Sequence, residues 1–496
     1  MCGFASGEGF SEAVVKWERS SDLYGDGANQ DSPVCPAPFL TPASFEWNRV
    51  KIFAVKPDME ITEGSVTTPA GFRAAGIFCD IKRLGTGKGS DKGQKRDLML
   101  IASDVPATVA GMFTTNQVCA APVKVSIPNA SKARARAIVS NSGNANACTG
   151  PRGLRDARAM VAAAAKILHV PENDVLVCST GRIGVPMPMK NVLHGIKLGV
   201  ADLAYDRAAA ARAAEAIMTS DTVSKEVAVR INVGGRIVII GGMAKGAGMI
   251  EPGMSPSGKR PASRPLHATM LGFITTDARI SSPALKKALR EAVALTFNRV
   301  TIDGDMSTND TVLALANGRA DNAMIKNLQS PDGRAFQAAL NLVCRTLARK
   351  IVSDGEGVTR VVTIRVSGAA SHADADRAAR WVGNSVLVKT SWFGGDPNWG
   401  RIIDALGYSP AKIVEDKVDI GYSAHGGKDI TWSLRRGLPT KVEFATLCAC
   451  VAPAEFDLHI RLNIGRGKAV VYACDLSEKY VDFNKGDIGD PAALGG

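Results

Sequence analysis

Between Val227 and Ile240 the chain reads Val-Ala-Val-Arg-Ile-Asn-Val, then Gly234-Gly235, then Arg-Ile-Val-Ile-Ile. Apolar and polar residues alternate on both sides of a glycine pair. That pattern specifies a two-residue hairpin, because the turns whose twist suits paired strands need positive φ at both central positions. An antiparallel ribbon is therefore fixed near mid-chain. Shorter runs at 98–103, 137–140, 360–367, 456–464 and 468–474 also read as strands. Apolar residues at helical spacing predict helices over 152–170, 206–218, 282–297, 334–349 and 371–384. The two kinds of element interleave without a regular strand-helix-strand beat and without a tandem repeat, which favours a layered α+β fold over a doubly wound sheet.

At 496 residues the chain exceeds one small core, so a large two-lobed body or several domains are expected. Order is expected from Val66 onward, because residues 1–65 are rich in Ser, Gly and Pro and lack periodicity. The net charge of +12 admits polyanionic partners. Its basic residues are dispersed, however, with short clusters only at Lys88–Arg96 and Lys259-Arg260, and aromatics make up 5% of the chain, too few for a base-stacking surface. No nucleic-acid partner is expected. No apolar run is long enough to cross a bilayer, so no membrane role is expected either. Ten cysteines occur mostly singly, and neither they nor the six histidines show metal-site spacing. Buried free thiols of a reducing compartment follow, the mitochondrial matrix or the cytoplasm. No targeting signal is legible, since Glu8, Glu12 and Asp22 oppose a secretory leader.

The polar stretches carry the chemistry. Ala268-Thr269 opens the run Thr-Met-Leu-Gly-Phe-Ile-Thr-Thr-Asp-Ala. A threonine hydroxyl needs a base within reach, and cutting the chain before Thr269 supplies one, its own α-amine, which titrates near neutrality. The competing reading makes Thr269 the first residue of a buried strand. Asn141-Ser-Gly-Asn-Ala-Asn-Ala-Cys-Thr-Gly150 suits either close backbone approach to a ligand or an elaborate helix start capped near Thr149. After the strand at 175–177, Thr180-Gly181 can aim a hydroxyl and an amide at one point, as an oxyanion requires, or form an ordinary turn. Lys245-Gly-Ala-Gly248 has the wrong order for a phosphate loop. It suggests a lysine for a substrate carboxylate, against the alternative of a solvated lysine after a strand. Residues 300–311, with Asp303-Gly-Asp305, lack the spacing of a calcium loop and are expected to build a hydrogen-bonded wall. In Asp354-Gly-Glu-Gly357, Glu356 offers a partner for a substrate ammonium, unless the stretch is only a turn. The proline-rich 255–267 is expected to be a loop.

Taken in order, Gly71-Phe-Arg-Ala-Ala-Gly, Ser103-Asp-Val-Pro-Ala-Thr, Phe113-Thr-Thr-Asn, the 141–147 and 179–181 stretches, Lys245-Gly-Ala-Gly-Met-Ile, Ala268-Thr-Met-Leu, Asp303-Gly-Asp, Asp354-Gly-Glu-Gly and Gly395-Asp-Pro-Asn-Trp-Gly-Arg resemble the landmarks of the ornithine acetyltransferase family. The likeness runs from about residue 66 to about residue 485. It implies a four-layer α/β/β/α sandwich beside a smaller α/β lobe. It also implies self-cleavage at Ala268-Thr269 into chains 66–268 and 269–496, paired as a heterotetramer. Thr269 is then the nucleophile, Thr180 and Gly181 the oxyanion pair, and Thr222, Lys245, Glu356 and Asn484 the substrate contacts. The implied reaction moves acetyl from N-acetylornithine to glutamate in arginine biosynthesis, with no cofactor and with acetyl-CoA admitted as a second acetyl donor.

Two features depart from the family pattern. Residues 255–267 are inserted ahead of the scissile bond, and Gly489 stands where the family carries a hydroxyl residue. Two other function classes fit parts of the sequence. One is a self-processing amidase or aminopeptidase of related fold, the other an inactive basic binding protein.

Overall fold

The computed structural model describes residues 59–82, 95–259 and 270–485. Ala268, Thr269 and Gly489 lie outside the described residues, as does most of the expected 255–267 loop.

Nine strands form the larger sheet. They are β1 (Met59–Thr62), β2 (Phe72–Ile77), β3 (Leu98–Phe113), β4 (Arg134–Asn141), β5 (Val175–Ser179), β6 (Lys225–Val233), β7 (Arg236–Lys245), β8 (Leu271–Thr276) and β9 (Thr311–Ala316). Their spatial order is β1-β6-β7-β8-β9-β3-β4-β5, with β2 on β3. The expected hairpin is β6 and β7, closed with Val233 opposite Arg236 and with φ of +58° and +81° at Gly234 and Gly235. Only β8 with β9 and β4 with β5 run parallel; the other pairs of this sheet are antiparallel.

Side-chain alternation divides this sheet into two facing halves. Ile138 of β4, Leu176 of β5, Phe273 of β8 and Leu313 of β9 share one inner core. Their neighbours Ala137, Val139, Val175 and Val177 point the other way, onto the helices Gly150–Leu168 and Met189–Ala201. Ile274, Val312 and Ala314 likewise face the helices Ser282–Leu295 and Pro331–Ser353. Since successive strand residues face opposite sides, two sheet halves with helices outside each give the four layers that the resemblance implies.

A second sheet lies in the later part of the chain. Its strands are β10 (Val361–Ala369), β11 (Asp419–Ala424), β12 (Thr431–Arg435), β13 (Leu438–Pro439), β14 (Glu455–Arg461) and β15 (Gly467–Cys474), in the order β13-β12-β11-β14-β10-β15. Val362, Ile364, Phe456 and Leu458 pack with Trp392, Ile402 and Val451 from flanking helices to form its own core. This is the smaller lobe.

Several boundaries differ from the sequence reading. β3 extends to Phe113 rather than stopping at 103, because a register irregularity between Ala102 and Ala107 absorbs Pro106, which cannot donate to a ladder. Strand β1 lies inside the segment 1–65 expected to lack order, and pairs along β6. Thr149 sits at the start of its helix, but its hydroxyl donates to Asn146 Oδ1 at 2.7 Å instead of capping the helix. The eight described cysteines are free, though Cys148 is exposed rather than buried. Among the described residues no helix is long and apolar enough to cross a membrane.

Candidate functional site

The turn after β5 brings Thr180 and Gly181 against the Asn-rich loop that follows β4. Thr180 N donates to Asn141 O at 3.0 Å, and Ser179 Oγ to Asn141 Oδ1 at 2.6 Å. Gly181 takes φ of +124°, and a Cβ there would lie 2.4 Å from the carbonyl carbon of Gly143. No other residue fits that approach. Backbone thus approaches the 141–150 loop closely, and what approaches is this turn of the chain itself.

A second group of residues gathers at the end of β7. Lys245 is 2% exposed, so it is not the solvated lysine of the alternative reading. Its ammonium lies 3.8 Å from Asp221 Oδ2. Asp221 Oδ1 accepts from Lys225 Nζ at 2.6 Å and from Gly246 N at 2.6 Å. Lys225 Nζ also reaches Asp354 Oδ2 at 2.5 Å, and Asp354 accepts from the amide and the hydroxyl of Thr222. Two lysines and two carboxylates thus interlock almost wholly buried from solvent. Burial opposes ionisation of Asp221, yet Lys225, Lys245 and the Gly246 amide together hold its carboxyl well below the usual range. Burial lowers the affinity of Lys245 for its proton, with Asp221 resisting.

Glu356 belongs to the turn after the helix Pro331–Ser353. Its amide donates to Ala247 O at 2.9 Å, and its carboxylate lies over Gly248, where a Cβ would come 2.6 Å from Oε1. Asn484, the last residue of the helix Glu478–Asn484, donates to Glu356 Oε2 at 2.9 Å. Asp303 accepts from the amides of Met249 and Ile250 at 2.5 and 2.8 Å and from Tyr480 OH at 3.2 Å. It builds the expected wall behind this turn.

Thr269 itself lies outside the described residues, but its chain neighbour does not. Leu271 is paired with Lys245 across β7 and β8, and with Thr311 across β8 and β9. Met270 N donates to Asp310 Oδ1 at 2.5 Å, and Met270 O accepts from Thr311 N at 3.0 Å. On the other side of the undescribed residues, Ser255 exchanges both backbone hydrogen bonds with Phe113, at 2.8 and 2.9 Å. Phe113 is itself paired with Thr311. The inserted stretch is therefore anchored at its start on β3, the strand next to β9, which in turn pairs β8.

The residues that join the two groups fall in the 300–311 stretch that the sequence expects to build a hydrogen-bonded wall, though that reading does not single out Asn309 or Asp310. Asn309 Nδ2 donates to Ser179 O at 2.8 Å and to Ala145 O at 2.7 Å, so it grips the residue before Thr180. The next residue, Asp310, grips the residue after Thr269. Asp221 and Lys225 were missed as well. A lone Asn-Asp pair and isolated charges carry no periodicity, and only the buried position of Ser307–Thr311 between strands reveals their work. The Thr180-Gly181 turn is thus tied through Asn309 and Asp310 to Met270, and Lys245 to Leu271 across β7 and β8.

Comparisons with known proteins place the chain in a family. The model of the ArgJ family matches residues 74–486. An arginine biosynthesis bifunctional protein ArgJ of Symbiobacterium thermophilum is 45% identical over 426 residues, covering 86% of this chain and 99% of that protein. A chloroplastic counterpart from Oryza sativa is 41% identical over 430 residues, covering 85% of this chain and 87% of that protein. A solved ornithine acetyltransferase of Mycobacterium tuberculosis, complexed with ornithine, is 39% identical; the match covers 40% of this chain and all of that one, with a TM-score of 0.36.

Proposed function

The chain belongs to the ArgJ family, and on that premise we propose that it carries acetyl from N-acetylornithine to glutamate on the side-chain oxygen of Thr269. It is an acetyltransferase of arginine biosynthesis. In this reading the chain cuts itself between Ala268 and Thr269, giving an amino-terminal chain that ends at 268 and a second chain from 269. The freed amine takes the Thr269 hydroxyl proton as the oxygen attacks the acetyl carbonyl. Thr180 and Gly181 receive the oxyanion, where each donor is worth roughly 2.7–4 kcal/mol of transition-state stabilisation. Lys245 meets a substrate carboxylate, and Glu356, held by Asn484 over Gly248, meets an ammonium. Thr222, bonded to Asp354 beside Lys225, is the third substrate contact in this reading. Ornithine leaves, glutamate attacks the acetyl ester, and N-acetylglutamate departs.

One observation supports this reading above the rest. Asn309 holds the oxyanion turn while its neighbour Asp310 holds Met270, so one dipeptide aligns the donors with the nucleophile's own backbone. The reading extends to two copies of each fragment in the assembly, to acetyl-CoA as a second donor, and to a reducing compartment, matrix or cytoplasm. Intact-mass measurement of the purified protein tests it. Wild type gives two fragments divided at 268/269 and ping-pong kinetics. Thr269→Ala gives one full-length species without turnover. Two fragments from that variant would contradict the assignment.

A further inference from the structure

The turn that follows β7 is held from three sides. Gly246 N donates to Asp221, Ala247 O accepts from Glu356 N, and Asp303 takes the amides of Met249 and Ile250. Met249 sits there at φ of +57°, a left-handed conformation that a side chain keeps only where its neighbours over-determine it. The next residue, Glu251, is where this turn meets the smaller lobe. It is buried, and its amide donates to Asp305 O at 3.0 Å. Its carboxylate accepts from Arg380 Nη1 at 2.8 Å on Oε1 and from Asn384 Nδ2 at 2.8 Å on Oε2.

Arg380 and Asn384 lie one turn apart on the helix His372–Asn384, so they share a face. Both reach across to the larger body. Asn384 Oδ1 accepts from Thr301 Oγ1 at 2.6 Å, while Arg380 donates to Asn298 O and to Asp376 Oδ2, the latter at 3.2 Å. Thr301 lies just ahead of the Asp303 wall, so one helix face clamps both the turn and the wall behind it. Asp376 has a second cation in Arg299; among the described residues Glu251 has none. Without Arg380, Glu251 would hold a buried charge with no counter-charge, a costly state that movement towards water relieves. A cavity of about 230 Å³, lined by Glu251, Gly304, Arg380, Trp381, Asn384 and the exposed Tyr408, gives it room to move. Its backbone ends the turn, so that movement draws Ala247 and Gly248 away from Glu356.

We propose that Arg380 is a positioning residue which, through Glu251, seats the Gly246–Ile250 turn against Glu356 and so sets the affinity for the substrate's ammonium; this rests on Glu356 being a substrate contact. Arg380 acts on the turn alone, so its loss falls on binding.

Steady-state kinetics of the purified full-length protein test this. For Arg380→Met we expect KM for N-acetylornithine to rise about tenfold with kcat changed less than about threefold, the signature of lost binding rather than lost chemistry. Removing the stranded charge should undo the damage. In the double variant Glu251→Gln/Arg380→Met we expect KM to return to within about threefold of wild type. A staple that merely joins the lobes would lower the melting temperature and leave KM of the folded fraction unmoved, and that result overturns the proposal. So does a double variant as impaired in KM as the single one. Should Arg380→Met fail to fold, Arg380→Lys decides, since an ammonium keeps the charge but lacks the fork that grips Glu251, Asp376 and Asn298 together. There a KM raised about threefold supports the assignment and an unchanged one overturns it. Glu356→Gln, measured alongside, separates the two readings. A raised KM in that variant with an unmoved KM in the Arg380 variants overturns this inference alone. An unmoved KM in Glu356→Gln overturns both.

Discussion

Asp221, which precedes β6 and lies against the end of β7, and Asp310 at the start of β9 are both buried, but they are furnished in opposite ways. Asp221 is saturated, with Lys225, Lys245 and the Gly246 amide around it. Asp310 has one amide and an idle oxygen. A buried charge surrounded by partners is fixed scaffolding, since removing any one partner strands the rest. A buried acid left partly unsatisfied is the arrangement expected where a reacting group must come and go. The contrast separates a saturated half of the site from one with an acceptor to spare.

The largest effect should come from breaking the saturated half. Lys225→Met leaves Asp221 and Asp354 facing each other without their shared cation, and we expect a loss of about 3–5 kcal/mol in urea unfolding at neutral pH. A loss below about 1 kcal/mol would mean that the carboxylates find other compensation. Next comes the link between the halves. Asn309→Ala removes the donor to Ser179 O and Ala145 O, with an expected loss of about 1–3 kcal/mol in stability and a drop in kcat larger than any change in KM, as the oxyanion turn drifts from the nucleophile. A variant that loses stability but keeps kcat would uncouple the two. The smallest effect is a slope. Asp221 is depressed in the folded state, so the stability it supplies is present above its unfolded value of about 3.9 and is lost as pH falls below it. Between pH 4 and 3 the wild type should lose about 1 kcal/mol that Lys225→Met does not, because Lys225 is the foremost charge depressing Asp221. Parallel acid slopes in the two proteins would assign the loss to other carboxylates.

What was legible in the sequence was what periodicity or glycine chemistry encodes. The β6–β7 hairpin, the helices Gly150–Leu168 and His372–Asn384, and the Thr180-Gly181 turn all show their geometry locally. β9 was missed, because Thr-Val-Leu-Ala-Leu-Ala packs on both faces and so does not alternate. β1 was missed because four residues earn their order only by pairing along β6. Within the site, residues that face a ligand could be singled out as polar stretches with no structural excuse. Residues that face one another across strands, Asn309 with Ser179 or Lys225 with Asp354, could not, since their partners lie 129 or more positions away.

The strand order has a mechanical consequence. The proposed scission at 268/269 would assign β1–β7 to one piece and β8 onward to the other, yet β8 and β9 lie wedged between β7 and β3. The later piece would be mortised into the earlier one, hydrogen-bonded along both flanks. On that proposal, severing the backbone would release a reactive end without loosening the body. The earlier piece would lack the central strands of the larger sheet, and the later piece, which holds the whole second sheet, would carry only two strands of the larger one, so on this proposal the joint is assembled before the cut is made.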